Sequence, residues 1–204
     1  MKFRIKIFLF FILFIFSDIM LAQDTLIFIN GKRIPATNVK LSDSQIFFNP
    51  LNKPQKLKKA EAYNMFSIKH PNGDETLIYK QDTLTDDLNV DQMRMFVKGQ
   101  QDAMEYFNPT AVTVTSVLIG AASGPLQIFS LAPPAVFATV VGASSPDMER
   151  QPVPDKQLIE SEEYRMGYEA KARNIKIKKA LIFGLSSALV SWVTFSVIER
   201  NDND

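Results

Sequence analysis

No cysteine occurs in the 204 residues, and histidine occurs once, at His70. Without thiols, neither disulfides nor thiolate-bound metals can hold the fold. The usual bacterial lipoprotein anchor, a lipid-modified cysteine just after an export signal, is excluded with them. One histidine and no cysteine also leave the common nucleophile–base pairs hard to assemble. His70 stands between Lys69 and Pro71 at a turn, with no second metal ligand near it in sequence, and reads as structural. Net charge is scarce too: 23 basic residues face 22 acidic ones, for a formal +1. A phosphate-binding surface needs a basic excess, so no nucleic acid partner is expected. The segment "GAASG" lacks the Lys-Ser/Thr that completes a phosphate loop. Glu160, Glu162 and Glu163 lie on a stretch that reads as a solvated helical face. These gaps point away from an enzyme, a cofactor or a metal site.

What the chain does have is segregation, with apolar residues gathered in three blocks and charge between them. The first block covers residues 1–22. Lys2, Arg4 and Lys6 precede an apolar run from Ile7 to Phe16, and small residues follow near Ala22, which is the pattern of a cleaved signal peptide. The run is shorter than a membrane span and Asp18 interrupts it.

Residues 23–83 read as short strands: "DTLIFIN", "RIPATNVKL", "QIFF", "AYNMFSIKH" and "ETLIYK". Asn30-Gly31 and Asn72-Gly73 separate β-rich runs and tolerate the positive φ of tight turns, so each predicts a hairpin. Five strands in so short a span suggest a small, curled antiparallel sheet of SH3-like type.

On these residues the chain resembles uncharacterised exported membrane proteins of Bacteroidota-type bacteria. Their loose pattern opens D-T-I-x-L-x-N-G and closes V-F-x-I-x-Y-x-N-G. Asp24, Thr25, Asn30 and Gly31 match the opening, and Phe66, Ile68, Asn72 and Gly73 the close. Pro35 and His70 depart from it. A G-x-x-D-A-x-x-Y segment often follows in that group, matched here by Gly99, Asp102, Ala103 and Tyr106. The resemblance implies a small β domain ahead of glycine-rich membrane helices and no chemistry.

An amphipathic helix is expected over residues 84–108. Met93, Phe96, Val97, Met104 and Phe107 fall at helical spacing, and Asp86 or Asp87 can cap its start. Residues 109–145 follow, with about 36 positions free of Lys, Arg, Asp and Glu. Pro125, Pro133 and Pro134 break that stretch. Ser116, Gly120 and Gly124 recur every fourth residue, and Ala138 with Gly142 repeats the spacing, so a smooth helix face is predicted that another helix can approach closely in lipid. Residues 146–179 form a proline-rich spacer and a charged helix. Residues 180–198 are an uncharged span with Gly184 and Ala188 on one face, and an acidic tail closes the chain at 199–204. "FVKGQQDA" and "YRMGYEAK" share an aromatic three residues before glycine, at Phe96/Gly99 and Tyr164/Gly167.

Lys171, Arg173, Lys176, Lys178 and Lys179 precede the last span and mark a cytoplasmic end by the positive-inside rule. With the β domain outside, that rule favours a single crossing by residues 109–145 over a hairpin. The expectation is therefore an α+β membrane protein of the inner membrane, with about two spanning helices and a periplasmic β domain. In the first functional reading that domain binds or scaffolds an unknown envelope partner. In the second, the glycine-faced helices assemble as a homo-oligomer that perturbs or permeates the bilayer.

Overall fold

The computed structural model describes residues 23–82 and 87–202; the expected signal segment, residues 1–22, lies outside the described residues. The described chain is α+β: one six-stranded antiparallel sheet, then helices. The strands are β1 (Asp24–Phe28), β2 (Arg33–Leu41), β3 (Gln45–Pro50), β4 (Lys58–Glu61), β5 (Met65–Lys69) and β6 (Glu75–Leu77), in the spatial order β4-β3-β2-β1-β5-β6. Gly31 and Gly73 have φ of 79° and 93°, so the Asn-Gly pairs form the hairpin turns expected of them. The strand not expected was β4, whose "KKAE" shows no apolar alternation. It pairs along β3 as an edge, where lysines discourage further pairing.

The sheet buries both faces of its centre. Leu26, Ala36, Ile46, Phe48, Met65 and Ile68 fill the inside of its curl. Ile27 and Phe66 point the other way and pack on Met93 and Val97 of the first helix. Burying a side chain such as Phe66 contributes about 2–3 kcal/mol, so the sheet is fastened to the helix rather than tethered beside it. Arg94 adds to the join. It pairs with Glu75 at 2.6 Å and lies 5.2 Å from the centre of the Phe66 ring.

That first helix, α1 (Val90–Tyr106), begins later than expected. Asn89 caps it, with Gln92 reaching back to complete a capping box, so Asp87 does not serve, and Asp86 lies outside the described residues. Its burial is also broader than one stripe. Gly99, Gln100, Gln101, Asp102 and Ala103 are all buried, while Met104 of the expected stripe is exposed. The cause is that α1 lies between the sheet and a second helix, so it has two covered faces.

After Pro109 come α2 (Thr110–Ala122), a 3-10 stretch (Gly124–Leu131), α3 (Ala132–Ala143) and the long α4 (Glu162–Asp202). The spacer between α3 and α4 holds only short 3-10 turns. The charged and apolar segments expected as two helices are one unbroken rod, about 60 Å long at 1.5 Å per residue. Charge does not stop a helix when no proline or glycine cap intervenes, and none does between Lys171 and Ala180.

Residues 109–145 fold as a helical hairpin along α4, the arrangement that the lysine count disfavoured. Asn108 is bonded to Lys179 and Ala121 to Ser191, so α2 runs alongside α4 in the same direction. Gln127 in the 3-10 stretch reaches Glu199, with φ of 50° where the chain reverses. Pro134 then packs on Gly184, and Ser144 ends beside Lys176. Both ends of the stretch therefore lie at the lysine-rich level of α4.

Candidate functional site

Two helical arms, α1–α2 and the full length of α4, meet along a seam of small residues. A Cβ on Gly99 would overlap the Tyr164 carbonyl oxygen and stand 2.8 Å from the Tyr168 nitrogen. A Cβ on Gly167 would overlap the Phe96 carbonyl oxygen and stand 2.8 Å from its carbon. Each glycine of the two similar segments thus sits on the aromatic residue of the other. The spacing continues: Gly99, Ser116 and Gly120 in one arm correspond, position for position, to Gly167, Gly184 and Ala188 in the other. A Cβ on Gly120 would overlap the Gly184 carbonyl oxygen and lie 2.9 Å from the Ala188 nitrogen. Ser187 and Ser191 donate across the gap to the Val117 and Ala121 carbonyls, at 2.9 and 2.7 Å. Close backbone approach and such interhelical hydrogen bonds are what associate helices in lipid.

The remaining small residues are also filled from within the chain. Gly124 is covered by Ser191 and Phe195, Gly142 by Ile177 and Gly184 by Pro134. Ser116, Ala138 and Ala188 are buried, with Ser116 donating back to the Val112 carbonyl.

Beside Gly99 and Gly167 sits a buried polar node, whose Asp102 the sequence marked only as a match to the G-x-x-D-A-x-x-Y segment, with no role attached. Asp102 is 2% exposed and accepts from Lys98 at 2.6 Å and from the Tyr164 hydroxyl at 2.9 Å. Tyr168 is buried beside it with its hydroxyl lacking a hydrogen-bond partner. Burial, with the Asp102 charge second, pushes Tyr168 up to about 12. Tyr164 is raised further, by burial, by its hydrogen bond to Asp102 and by that group's charge. Folded pKa values above the unfolded value of about 10 stabilise the fold fully below that pH and lose the contribution as pH rises. We therefore expect helix packing, followed by near-ultraviolet circular dichroism, to loosen between about pH 10 and 12, together with late tyrosinate absorbance. Ionisation of all tyrosines at the ordinary pH, with packing unchanged, would contradict this burial.

Outside the seam the three lower arms are coated with apolar side chains. Leu118, Ile128, Phe129, Val136, Val140 and Val190 are 62–74% exposed. Two helices are long and apolar enough to cross a membrane, within Gly124–Ala143 and Glu162–Arg200, and Thr110–Ala122 is a shorter apolar helix. From Lys179 to Glu199, α4 rises about 30 Å, the thickness of a bilayer's hydrocarbon core.

The five cations at the upper edge of this coat divide by role. Lys171 donates to the Asn30 carbonyl at 2.8 Å, Lys179 to Asn108 at 2.7 Å, and Lys176, almost fully buried, to Ser144 where α3 ends. Cations suit a helix C-terminus because they offset its exposed carbonyls. Arg173 binds Ser145 and Glu169, and Lys178 is exposed.

The sheet presents a separate feature. A groove of about 710 Å³ is lined by Ile29, Leu41, Tyr63, Leu77, Tyr79 and Met93, among others. Tyr63, in the 3-10 turn before β5, is 75% exposed. His70 is held by Asp24 at 2.7 Å and Thr76 at 2.9 Å, bridging β1, β5 and β6. Among the described residues, no group of three histidine or acidic side chains is placed to hold a metal. No family model, curated protein or solved structure matches the chain.

Proposed function

We propose that the chain is a non-enzymatic envelope membrane protein that anchors a small SH3-like domain and holds it ready for a protein partner. The observation that carries this reading is the apolar coat. Exposed leucine, valine, isoleucine and phenylalanine surround α2, α3 and the apolar half of α4, over a length that fits a bilayer. In water such a coat is an aggregation hazard, and in lipid it is the ordinary surface of a bundle.

An SH3-like reading of the sheet is supported by its order, with β2 to β4 a meander, β1 between β2 and β5, and a 3-10 turn before β5. A register shift in β2 between Thr37 and Lys40, at Asn38 with φ of 53°, bends the strand as a curled barrel requires. The binding face is the groove beside Tyr63. Its wall residue Met93 stands about 24 Å along the helical rise from Pro109, clear of the lipid.

We place the protein in the inner membrane with the sheet in the periplasm, following the signal-like segment before Gln23 and the retention of spanning helices there. The hairpin then puts the lysine-rich level on the periplasmic side, against the count used by the positive-inside rule. Four of those five cations donate to oxygens of this chain, so they contribute less to orientation than their number suggests. The oligomer reading has no comparable support, since the glycine faces that would join copies are covered within the chain.

Extraction of membranes with alkaline carbonate tests the anchor: the protein should stay in the pellet and leave only with detergent. Release into the supernatant would make the coat an interior surface of a soluble assembly.

A further inference from the structure

The hairpin between β3 and β4 has a charge pattern unlike the rest of the sheet. From Ser44 to Ala60 there are four lysines, Lys53, Lys56, Lys58 and Lys59, and no carboxylate. A fifth, Lys40, pairs across to Phe47, and Phe47 pairs on to Lys59. Directly opposed residues share a face, so Phe47 lies between two lysines there. Among the described residues none of the five makes an ion pair. The loop is shaped by its own turns. Lys53 N–H donates to the Pro50 carbonyl, Lys56 N–H to Lys53, and Asn49 Nδ2 to Pro54, at 2.9, 3.0 and 2.8 Å. On it Leu51 and Leu57 are 39% and 62% exposed, and Leu57 lines a pocket of about 510 Å³ with Val39, Lys40 and Phe47.

We infer that this hairpin is a second membrane contact, binding the anionic phosphate headgroups of the bilayer that anchors the chain; the inference rests on the membrane reading above. Lysines without counter-charges fit a polyanionic surface, each contributing about fivefold near anionic lipid. Exposed leucines at the tip fit the boundary between headgroups and acyl chains, which neither a nucleic acid nor an acidic protein surface provides. The hairpin is also close enough. Its base, Pro50, pairs with Ala36 on the strand that starts at Arg33. Arg33 is bonded to Gln101, and the turn before it, at Asn30, is bonded to Lys171. Lys171 lies about 12 Å along α4 from Lys179 and the start of the lipid. Because hairpin and anchor share one chain, the headgroup surface is at high effective concentration.

The test uses the full chain, whose lack of cysteine makes an introduced one unique. Leu57→Cys, carrying an environment-sensitive fluorophore, is placed in nanodiscs of phosphatidylcholine alone or with phosphatidylglycerol. The expected result is a blue-shifted emission only with the anionic lipid, reversed by salt and abolished in K53Q/K56Q/K58Q/K59Q. Equal emission on both lipids, or a shift that survives the four substitutions, overturns the inference. So does the same shift on neutral discs given inorganic phosphate, which would mean an ion site rather than a headgroup surface. Co-elution with the discs is read separately. A chain that never enters them sinks the membrane reading and the contact together, whereas one that enters with lipid-independent emission sinks the contact alone.

Discussion

Gly167→Ala should lower the melting temperature of the detergent-solubilised chain by about 10 °C, from a loss of about 3 kcal/mol. Alanine is the better helix former by up to about 1 kcal/mol, so propensity alone predicts a gain. Packing decides the sign. The new Cβ would overlap the Phe96 carbonyl oxygen and stand 2.8 Å from its carbon and 3.0 Å from its Cα. All three are backbone atoms of α1, and none can swing aside as a side chain can. Relief requires the helices to separate, which weakens the Tyr164–Asp102 bond and the contacts around buried Ala103 and Ala172. Gly99→Ala, facing the Tyr164 carbonyl, should behave alike. Met166→Ala, one position away and half exposed, is the control and should change stability by no more than about 0.5 kcal/mol. Equal, small effects at all three positions would mean that α1 and α4 are not held in close contact.

The parts of this fold that were legible in sequence are those set by local chemistry. Asn30-Gly31 and Asn72-Gly73 announce hairpins because few other pairs accept the required φ. Small residues every fourth position announce a smooth helix face, since the helical period alone brings them into line. The two Phe/Tyr-x-x-Gly segments were visible as a faint likeness. Their meaning was not, because it depends on each glycine meeting the other segment's backbone, a long-range fact.

Direction was harder still. Pro125, Pro133 and Pro134 say that the apolar stretch bends, but not by how much, and Gln127 at the reversal is no turn-forming residue by type. Counting lysines favoured a single crossing, because a count cannot tell a headgroup-facing cation from one that donates to Ser144 or Asn108. The burial of Asp102 was hidden for a related reason. The residue sits on what looks like a polar helix face, and only the presence of α4 makes that face an interior. The edge strand β4 escaped because lysines that guard an edge erase the alternation by which strands are recognised.

The hairpin of residues 109–145 has a consequence for sidedness that is all or none. In the membrane reading proposed above, residues 109–145 go in and come back beside α4, so the sheet and the stretch before α4 share one side of the membrane while the end of α4 reaches the other. A chain without cysteine allows this to be read residue by residue. Asn72→Cys in the sheet, Glu149→Cys in the spacer and Asn201→Cys near the C-terminus are each exposed to a membrane-impermeant maleimide, in sealed and in opened vesicles. Positions 72 and 149 should label under the same condition, and position 201 under the opposite one. Labelling of 72 and 201 together, with 149 shielded, would mean that residues 109–145 cross only once and that the bundle of α2, α3 and α4 does not form.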